Sequence, residues 1–164
     1  MPILRPNALE FVSRSPEQTR RVGMRLGSLL RAGDVIALEG HLGSGKTTFI
    51  QGMVAGWGST DPVTSPTFVL VNVYRRGDGA RFYHLDAYRL NNPHELMAWD
   101  LDAMLEEGPL AVEWADKIRA WLPEDRLTVR LSWLAEEQRN LLFEAQGARA
   151  LSLLTQLRKA LLGG

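Results

Sequence analysis

Cysteine is absent from the 164 residues, which excludes disulfides and any thiolate metal site. Net charge is absent too: 19 Lys and Arg balance 19 Asp and Glu, so no global field draws the chain to nucleic acid or to an anionic membrane. No apolar run approaches the length of a transmembrane helix. The first residues carry charge and Pro2, Pro6 and Pro16, with no signal-peptide core, so a cytoplasmic location is expected. Lysine is scarce beside arginine, an imbalance we ascribe to genomic base composition. Repeats, low-complexity tracts and linkers are also missing. What remains is ordinary: 45% apolar and 23% charged residues, the profile of a soluble chain forming a single domain over residues 1–164.

The stretch that organises the chain is Gly33 to Thr48. It holds G-x-x-x-x-G-K-[ST] as Gly40 to Thr47, after an apolar run (Val35 to Leu38) and before a helical pattern. Phosphate chemistry uses each part. Glycines let the loop curl so that backbone N–H groups point inward. The helix beginning near Lys46 adds the positive end of its dipole. Lys46 is placed to reach β- and γ-phosphates and Thr47 to ligate Mg²⁺, with Gly40, Leu42, Gly43, Ser44, Gly45 and Thr48 completing the cradle. The expected ligands are therefore ATP and Mg²⁺. No Asn-Lys-x-Asp occurs, so the usual guanine reader of GTPases is missing, which favours ATP.

The spacing predicts strands over residues 8–13 and 35–38. A helix starts at Ser15-Pro16-Glu17-Gln18, with Ser15 as cap, and ends around Ala32-Gly33. A second helix runs from Lys46 to about Trp57. Phe68 to Tyr74 and Ala80 to Leu85 flank Asp78-Gly79 as a β-hairpin. Asn91-Asn92-Pro93 opens a helical stretch through Trp99, and another covers Leu101 to Glu106. Leu110 to Trp114 is a short strand, followed by one or two helical turns over 115–121. Arg126 to Trp133 alternates apolar and polar residues as antiparallel strands do. It pairs with Asn140 to Ala145, and a helix over 148–162 closes the chain. The predicted class is α/β: a P-loop NTPase-like mixed β-sheet flanked by helices, ending in an antiparallel strand pair and a helix.

A P-loop needs an acid at the end of a neighbouring strand. Two segments supply one, ending in Asp86 and in Glu113. Either can lie beside the P-loop strand, and the sequence does not order them. The division expected here puts Asp86 near the metal and Glu113, with its longer arm, near the attacking water or a metal-bound water. Thr64, Ser65 and Thr67, around Pro66, sit where switch loops occur and offer hydroxyls for Mg²⁺ or γ-phosphate. Turn chemistry explains the same residues equally well. His84 reads as a packed strand residue rather than a base. Trp114 reads as core or wall, Arg89 is open between phosphate, a partner's carboxylate and no contact, and His41 carries no assigned role.

With these residues in view, the chain resembles the TsaE (formerly YjeE) family, bacterial P-loop ATPases required for threonylcarbamoyl-adenosine in tRNA. Four blocks carry the resemblance across most of the chain. The first is Gly33 to Leu38 leading into Leu42 to Phe49, and the second is Val63-Thr64-Ser65-Pro66-Thr67-Phe68. The third is His84-Leu85-Asp86-Ala87-Tyr88-Arg89-Leu90, and the last Val112-Glu113-Trp114-Ala115-Asp116. The resemblance implies that Lys46 and Thr47 serve nucleotide and metal, and that Thr64 to Thr67 form a switch-like loop. It implies that Asp86 is the Walker B-type acid and that Glu113 and Trp114 are the acid–aromatic pair at the nucleotide, with Thr47, Asp86 and Glu113 as the magnesium side chains. It further implies ATP hydrolysis supporting repeated turnover by the TsaB–TsaD complex, with tRNA met through that complex. Three departures stand out: His41 where the family usually has an acid, Val73 before Tyr74 where Glu is common, and Trp99-Asp100 in place of Leu-Gly.

Two other functions compete on sequence grounds. A small-molecule phosphotransferase has similar length, but no arginine-rich lid follows the P-loop helix. A nucleotide-dependent binding module without useful hydrolysis is the third.

Overall fold

In a computed structural model, the structure describes residues 5–41, 43–64, 71–88, 90, 94 and 100–162. Among these, seven strands form one sheet: Ala8–Ser13 (β1), Val35–Glu39 (β2), Val71–Arg75 (β3), Arg81–Asp86 (β4), Leu110–Glu113 (β5), Arg126–Trp133 (β6) and Arg139–Gln146 (β7). Their order is β1-β7-β6-β2-β5-β4-β3. The helices are Pro16–Gly27 (α1), Lys46–Trp57 (α2), Leu101–Glu107 (α3) and Ala148–Leu162 (α4), with a 3₁₀ segment over Ala115–Trp121. No helix is long and apolar enough to cross a membrane among the described residues. The mixed α/β sheet is the architecture expected from the sequence. The helical stretch through Trp99, the loop residues Ser65, Pro66 and Thr67, the first residues of the hairpin from Phe68 and the loop residue Leu42 lie outside the described residues.

Parallel pairing holds the centre. β2 pairs in parallel with both β5 and β6, and β4 pairs in parallel with β5. β3 runs against β4, and β7 runs against β6 and β1. Val35, Ile36, Ala37 and Leu38 are all buried, as an unbroken apolar strand covered on both faces requires. Ile36 and Leu38 meet one core with Val22 and Leu26 of α1, Phe49 and Met53 of α2 and Leu154 of α4. Ala37 meets the other, with Leu85, Val112, Met104 and Ile118. α3 and the 3₁₀ segment thus cover the second face.

Two sequence expectations change. β6 does pair antiparallel with β7, yet it is also parallel to β2. It alternates because only one of its faces is roofed: Leu127, Val129 and Leu131 enter the core, while Arg130 meets Glu39 and Glu144 on the other side. The first helix stops at Gly27, short of Ala32-Gly33. Beyond it the polar groups take other partners. Asp34 accepts from the Arg31 N–H at 2.7 Å. Arg149 of α4 donates to the Leu29 carbonyl at 2.9 Å and to Asp34 at 2.9 Å. These bonds turn the chain into β2 instead of prolonging α1.

α1 and α2 meet backbone to backbone. A Cβ on Gly52 would lie 2.1 Å from the Arg20 carbonyl oxygen, and one on Gly27 2.1 Å from that of Met53. Alanine is the better helix former by about 1 kcal/mol, so a Gly→Ala change at an exposed helical site stabilises. Here overpacking wins. Gly52→Ala is expected to cost about 2 kcal/mol net, a fall of about 4–8 °C in Tm. A thermal melt showing an unchanged or higher Tm would contradict so close a helix contact.

Candidate nucleotide site

The P-loop strand ends at Glu39, and the chain turns through Gly40 to Gly45 into α2. Gly40 needs to be glycine on two counts. Its φ is +150°, and a Cβ would lie 2.6 Å from the Leu131 carbonyl and 2.7 Å from Ser44 Oγ. Gly45 caps α2 in the left-handed region, with φ +101°. Its N-cap is a glycine, with no side chain to offer, and no acid lies in its first turn, so the helix start presents the positive end of its dipole to the loop. Ser44 Oγ is buried and has no hydrogen-bond partner among the described residues. An orphaned buried hydroxyl in a loop of this shape fits a ligand rich in acceptor oxygens.

Lys46 is only 6% exposed. Its Nζ donates to the Gly40 carbonyl and approaches that of His41 at 3.5 Å. The same Nζ lies 4.0 Å from the centroid of the Trp114 ring, within cation–π range. Burial holds the Lys46 ammonium below its usual pKa, and the carboxylates of Glu113, Asp86 and Asp116 oppose that shift. Thr47 and Thr48 follow in the first turn of α2.

The two acids fall in one row. Leu38 of β2 is the register partner of Glu113 on β5, and Glu113 is the partner of Asp86 on β4. The sheet therefore settles what the sequence left open: Glu113 is on the strand beside the P-loop strand, and Asp86 is one strand farther out. Both lie at the end of their strands where the loop begins, the position of ligand sites in open parallel sheets. Glu113 is buried. Asp86 is half-buried and accepts from the Tyr88 N–H at 2.9 Å. Burial raises its pKa, the Tyr88 N–H lowers it, the Glu113 charge raises it, and His84 and Lys46 lower it.

Trp114 is the one non-glycine residue with positive φ among the described residues, at +57°. This backbone costs roughly 1–2 kcal/mol for a bulky side chain. It turns the chain sharply from β5 into the 3₁₀ segment. The indole lies against Lys46 and the Tyr88 ring, the latter at 5.0 Å between centroids. Trp114 is half-buried and packs against the second core with one part of its ring beside Lys46.

Sequence reasoning missed the partners behind Glu113. His84, fully buried, places Nε2 2.7 Å from Glu113 Oε2 and Nδ1 2.9 Å from the Tyr74 hydroxyl. It is a packed strand residue, as expected, but a polar one tied to the site. The signal available was parity: His84 and Asp86, two apart on a strand, share a face. Thr64 is exposed, and its carbonyl accepts from Asn72 Nδ2 at 2.8 Å and from the Tyr74 hydroxyl at 3.3 Å. Glu39 points to the opposite face, paired with Arg119 at 3.1 Å and Arg130 at 3.3 Å. A groove of about 420 Å³ runs beside the loop past Glu39, His41, Asp116, Arg130 and Ser132.

Comparison with known proteins gives one consistent answer. The family model described as "Threonylcarbamoyl adenosine biosynthesis protein TsaE" matches residues 13–141. The tRNA threonylcarbamoyladenosine biosynthesis protein TsaE of Streptomyces coelicolor is 46% identical over 114 residues, 68% of this chain and 77% of that protein. The Bacillus subtilis protein of the same name is 34% identical over 151 residues, 92% of this chain and 94% of that protein. The crystal structure of YdiB from Bacillus subtilis superposes with a TM-score of 0.76 at 32% identity, covering 93% of this chain and 95% of that one. The loop, the paired strand-end acids and these matches together identify the chain as a member of the TsaE family.

Proposed function

We propose that the chain acts as one P-loop domain that hydrolyses ATP with Mg²⁺ in the cytoplasm, as the ATPase of threonylcarbamoyl-adenosine formation on tRNA. In this reading it works on the TsaB–TsaD complex to sustain turnover. The observation that carries the proposal is the convergence at one sheet edge of a buried lysine, a glycine-capped helix N-terminus and two strand-end carboxylates.

Each residue has a task that its surroundings support. The loop N–H groups and the Ser44 hydroxyl bind phosphate oxygens. Lys46 exchanges its carbonyl acceptors for β- and γ-phosphate oxygens, a stronger charge-assisted contact. Magnesium, when bound, would offset the charge of the phosphates. The Thr47 hydroxyl and Asp86 would hold it, with Glu113 within the same row. Among the described residues no cluster of three or more His, Asp or Glu side chains is set to bind a metal. That agrees with a magnesium held by few protein groups, substrate phosphates and water. Glu113 orients the attacking water, and Trp114 walls the site and excludes bulk solvent. Thr64 opens the switch-like loop.

Separating the two acids tests this. Asp86→Asn is expected to weaken nucleotide binding when magnesium is present, and little otherwise. Glu113→Gln is expected to keep nucleotide Kd near wild type and to lower kcat about 100-fold, the lower end of what a positioned base contributes. Phosphate should appear as free phosphate, not on an acceptor. If both variants only raise Kd, the division of labour is wrong. Phosphate transferred to a small molecule would make the chain a phosphotransferase.

A further inference from the structure

We propose that Tyr74 and His84 are positioning residues, a buried hydrogen-bonded chain that fixes the Glu113 carboxylate, with the Tyr74 hydroxyl 3.3 Å from the Thr64 carbonyl. The inference rests on the ATPase reading of the site and adds two residues to it.

An ionised Glu113 only accepts, so His84 Nε2 carries the hydrogen and donates to Glu113 Oε2 at 2.7 Å. The other ring nitrogen, Nδ1, pairs with the Tyr74 hydroxyl at 2.9 Å. The Thr64 carbonyl keeps its donor from Asn72 at 2.8 Å while staying 3.3 Å from the Tyr74 oxygen. Each group in the line is thus satisfied, and one carboxylate oxygen of Glu113 is committed to His84. This is the arrangement of a base oriented by a further group.

Packing locks the line in place. β4 sends Phe82, His84 and Asp86 to the same face, and the Tyr74 ring lies 6.3 Å from Phe82 and 5.9 Å from His84 between centroids. Ala111 is the register partner of His84. Its small side chain leaves the imidazole room to reach diagonally to Glu113, two residues on. Phe82 and Ala111 beside it are completely buried. A polar chain in such a core does not serve stability, because apolar residues of like volume there are commonly neutral or better. Its length, from the Thr64 corner to the nucleotide edge, gives it a use that packing alone does not.

Two substitutions at one position separate positioning from packing. Gln places its amide near His Nε2 and keeps the donor to Glu113. Asn places its amide near His Nδ1 and keeps only the Tyr74 contact. ATP turnover and nucleotide Kd are measured on the full chain, alone and with TsaB–TsaD. His84→Asn is expected to lower kcat about 30-fold, in the range of outer-shell losses, with Kd within about twofold. His84→Gln should recover most of that loss. Tyr74→Phe, which keeps the ring, should lower kcat about threefold to tenfold at unchanged Kd. In a Glu113→Gln background His84→Asn should add no further loss. Equal behaviour of Asn and Gln together with wild-type kcat in Tyr74→Phe overturns the proposal. So does a fully additive double variant. Should His84→Asn fail to fold, Tyr74→Phe alone decides. A wild-type chain that never hydrolyses ATP defeats the ATPase reading itself, a result distinct from an active wild type with indifferent variants.

Discussion

Lys46→Ala is expected to lower kcat/KM for ATP by roughly 10³-fold, about 4 kcal/mol, in a chain that still folds. The functional half follows from where the ammonium sits. It is nearly buried, at the loop mouth, with the Glu113 and Asp86 carboxylates acting on it. No other described lysine is near in sequence to share its task, and a phosphate entering the loop would lose its one enclosed cation. The folding half follows from the direction of the Lys46 pKa. Burial outweighs the carboxylates and holds the pKa down, so the folded state disfavours the charged form. For a base shifted this way, stability rises with pH through the folded pKa, and the charge is a cost at neutral pH. Lys46→Met keeps most of the stem against Trp114 and removes the charge. Its Tm should equal or exceed that of wild type while its ATPase is lost with that of Lys46→Ala. Steady-state kinetics and a melt on both variants check this. Full hydrolysis by either, or unfolding of Lys46→Met, would refute the account.

Local chemistry explains what the sequence could reveal. The Ser15 side chain does accept from the Gln18 N–H at 3.1 Å, and α2 does run from Lys46 to Trp57. The hairpin turn is held by the Gly79 N–H on the Arg76 carbonyl at 3.0 Å. Each depends on residues a few positions apart, where caps, turns and periodicity operate. The loop and its lysine were legible for the same reason.

What the sequence hid was set across the sheet. His84 and Glu113 are 29 positions apart, and Glu39 reaches Arg119 and Arg130 over 80 and 91 positions. Such pairs exist only once strand order and register are fixed, and the order β2-β5-β4 follows from packing as a whole. Two strands ending in acids look alike until one is seen to touch the loop strand. The left-handed Trp114 gave no signal either, since turns of that kind normally declare themselves by Gly or Asn. The early end of α1 came from Arg149, contributed by the last helix. Tertiary partners overrode a helical pattern that was locally sound.

The second large effect concerns the partner. Alone, the chain is expected to turn over ATP slowly, and the TsaB–TsaD pair should raise the rate about tenfold or more. The reach of an arginine supplied by another chain to a GTPase, roughly 10³–10⁵-fold, is the upper bound. Charge near the γ-phosphate decides the rate. The arginines nearest the loop are already engaged: Arg119 with Glu39, Arg130 with Glu39 and Glu144, and Arg139, whose stem lies beside Gly45, with the Ala135, Glu136 and Gln138 carbonyls. Arg76 is held by Asp78, by the Trp57 carbonyl and over the Trp57 ring. Lys117 donates to the Tyr88 carbonyl. Among these described cations only Lys46 lies in the loop, and it belongs to the ground-state cradle. Charge that develops in the transition state is therefore expected to meet a cation, or a dry wall, from outside. Closure by a partner would also exclude water and strengthen each contact already in place. Stimulation should vanish in Lys46→Ala. It should fall in Thr64→Glu, which puts a negative charge at the exposed corner where the Tyr74–His84–Glu113 line begins. The measurement is ATP turnover by the full chain against increasing TsaB–TsaD, with association followed in the presence and absence of nucleotide. Fast hydrolysis by the isolated chain, indifferent to the pair, would show that the phosphate site is complete without it.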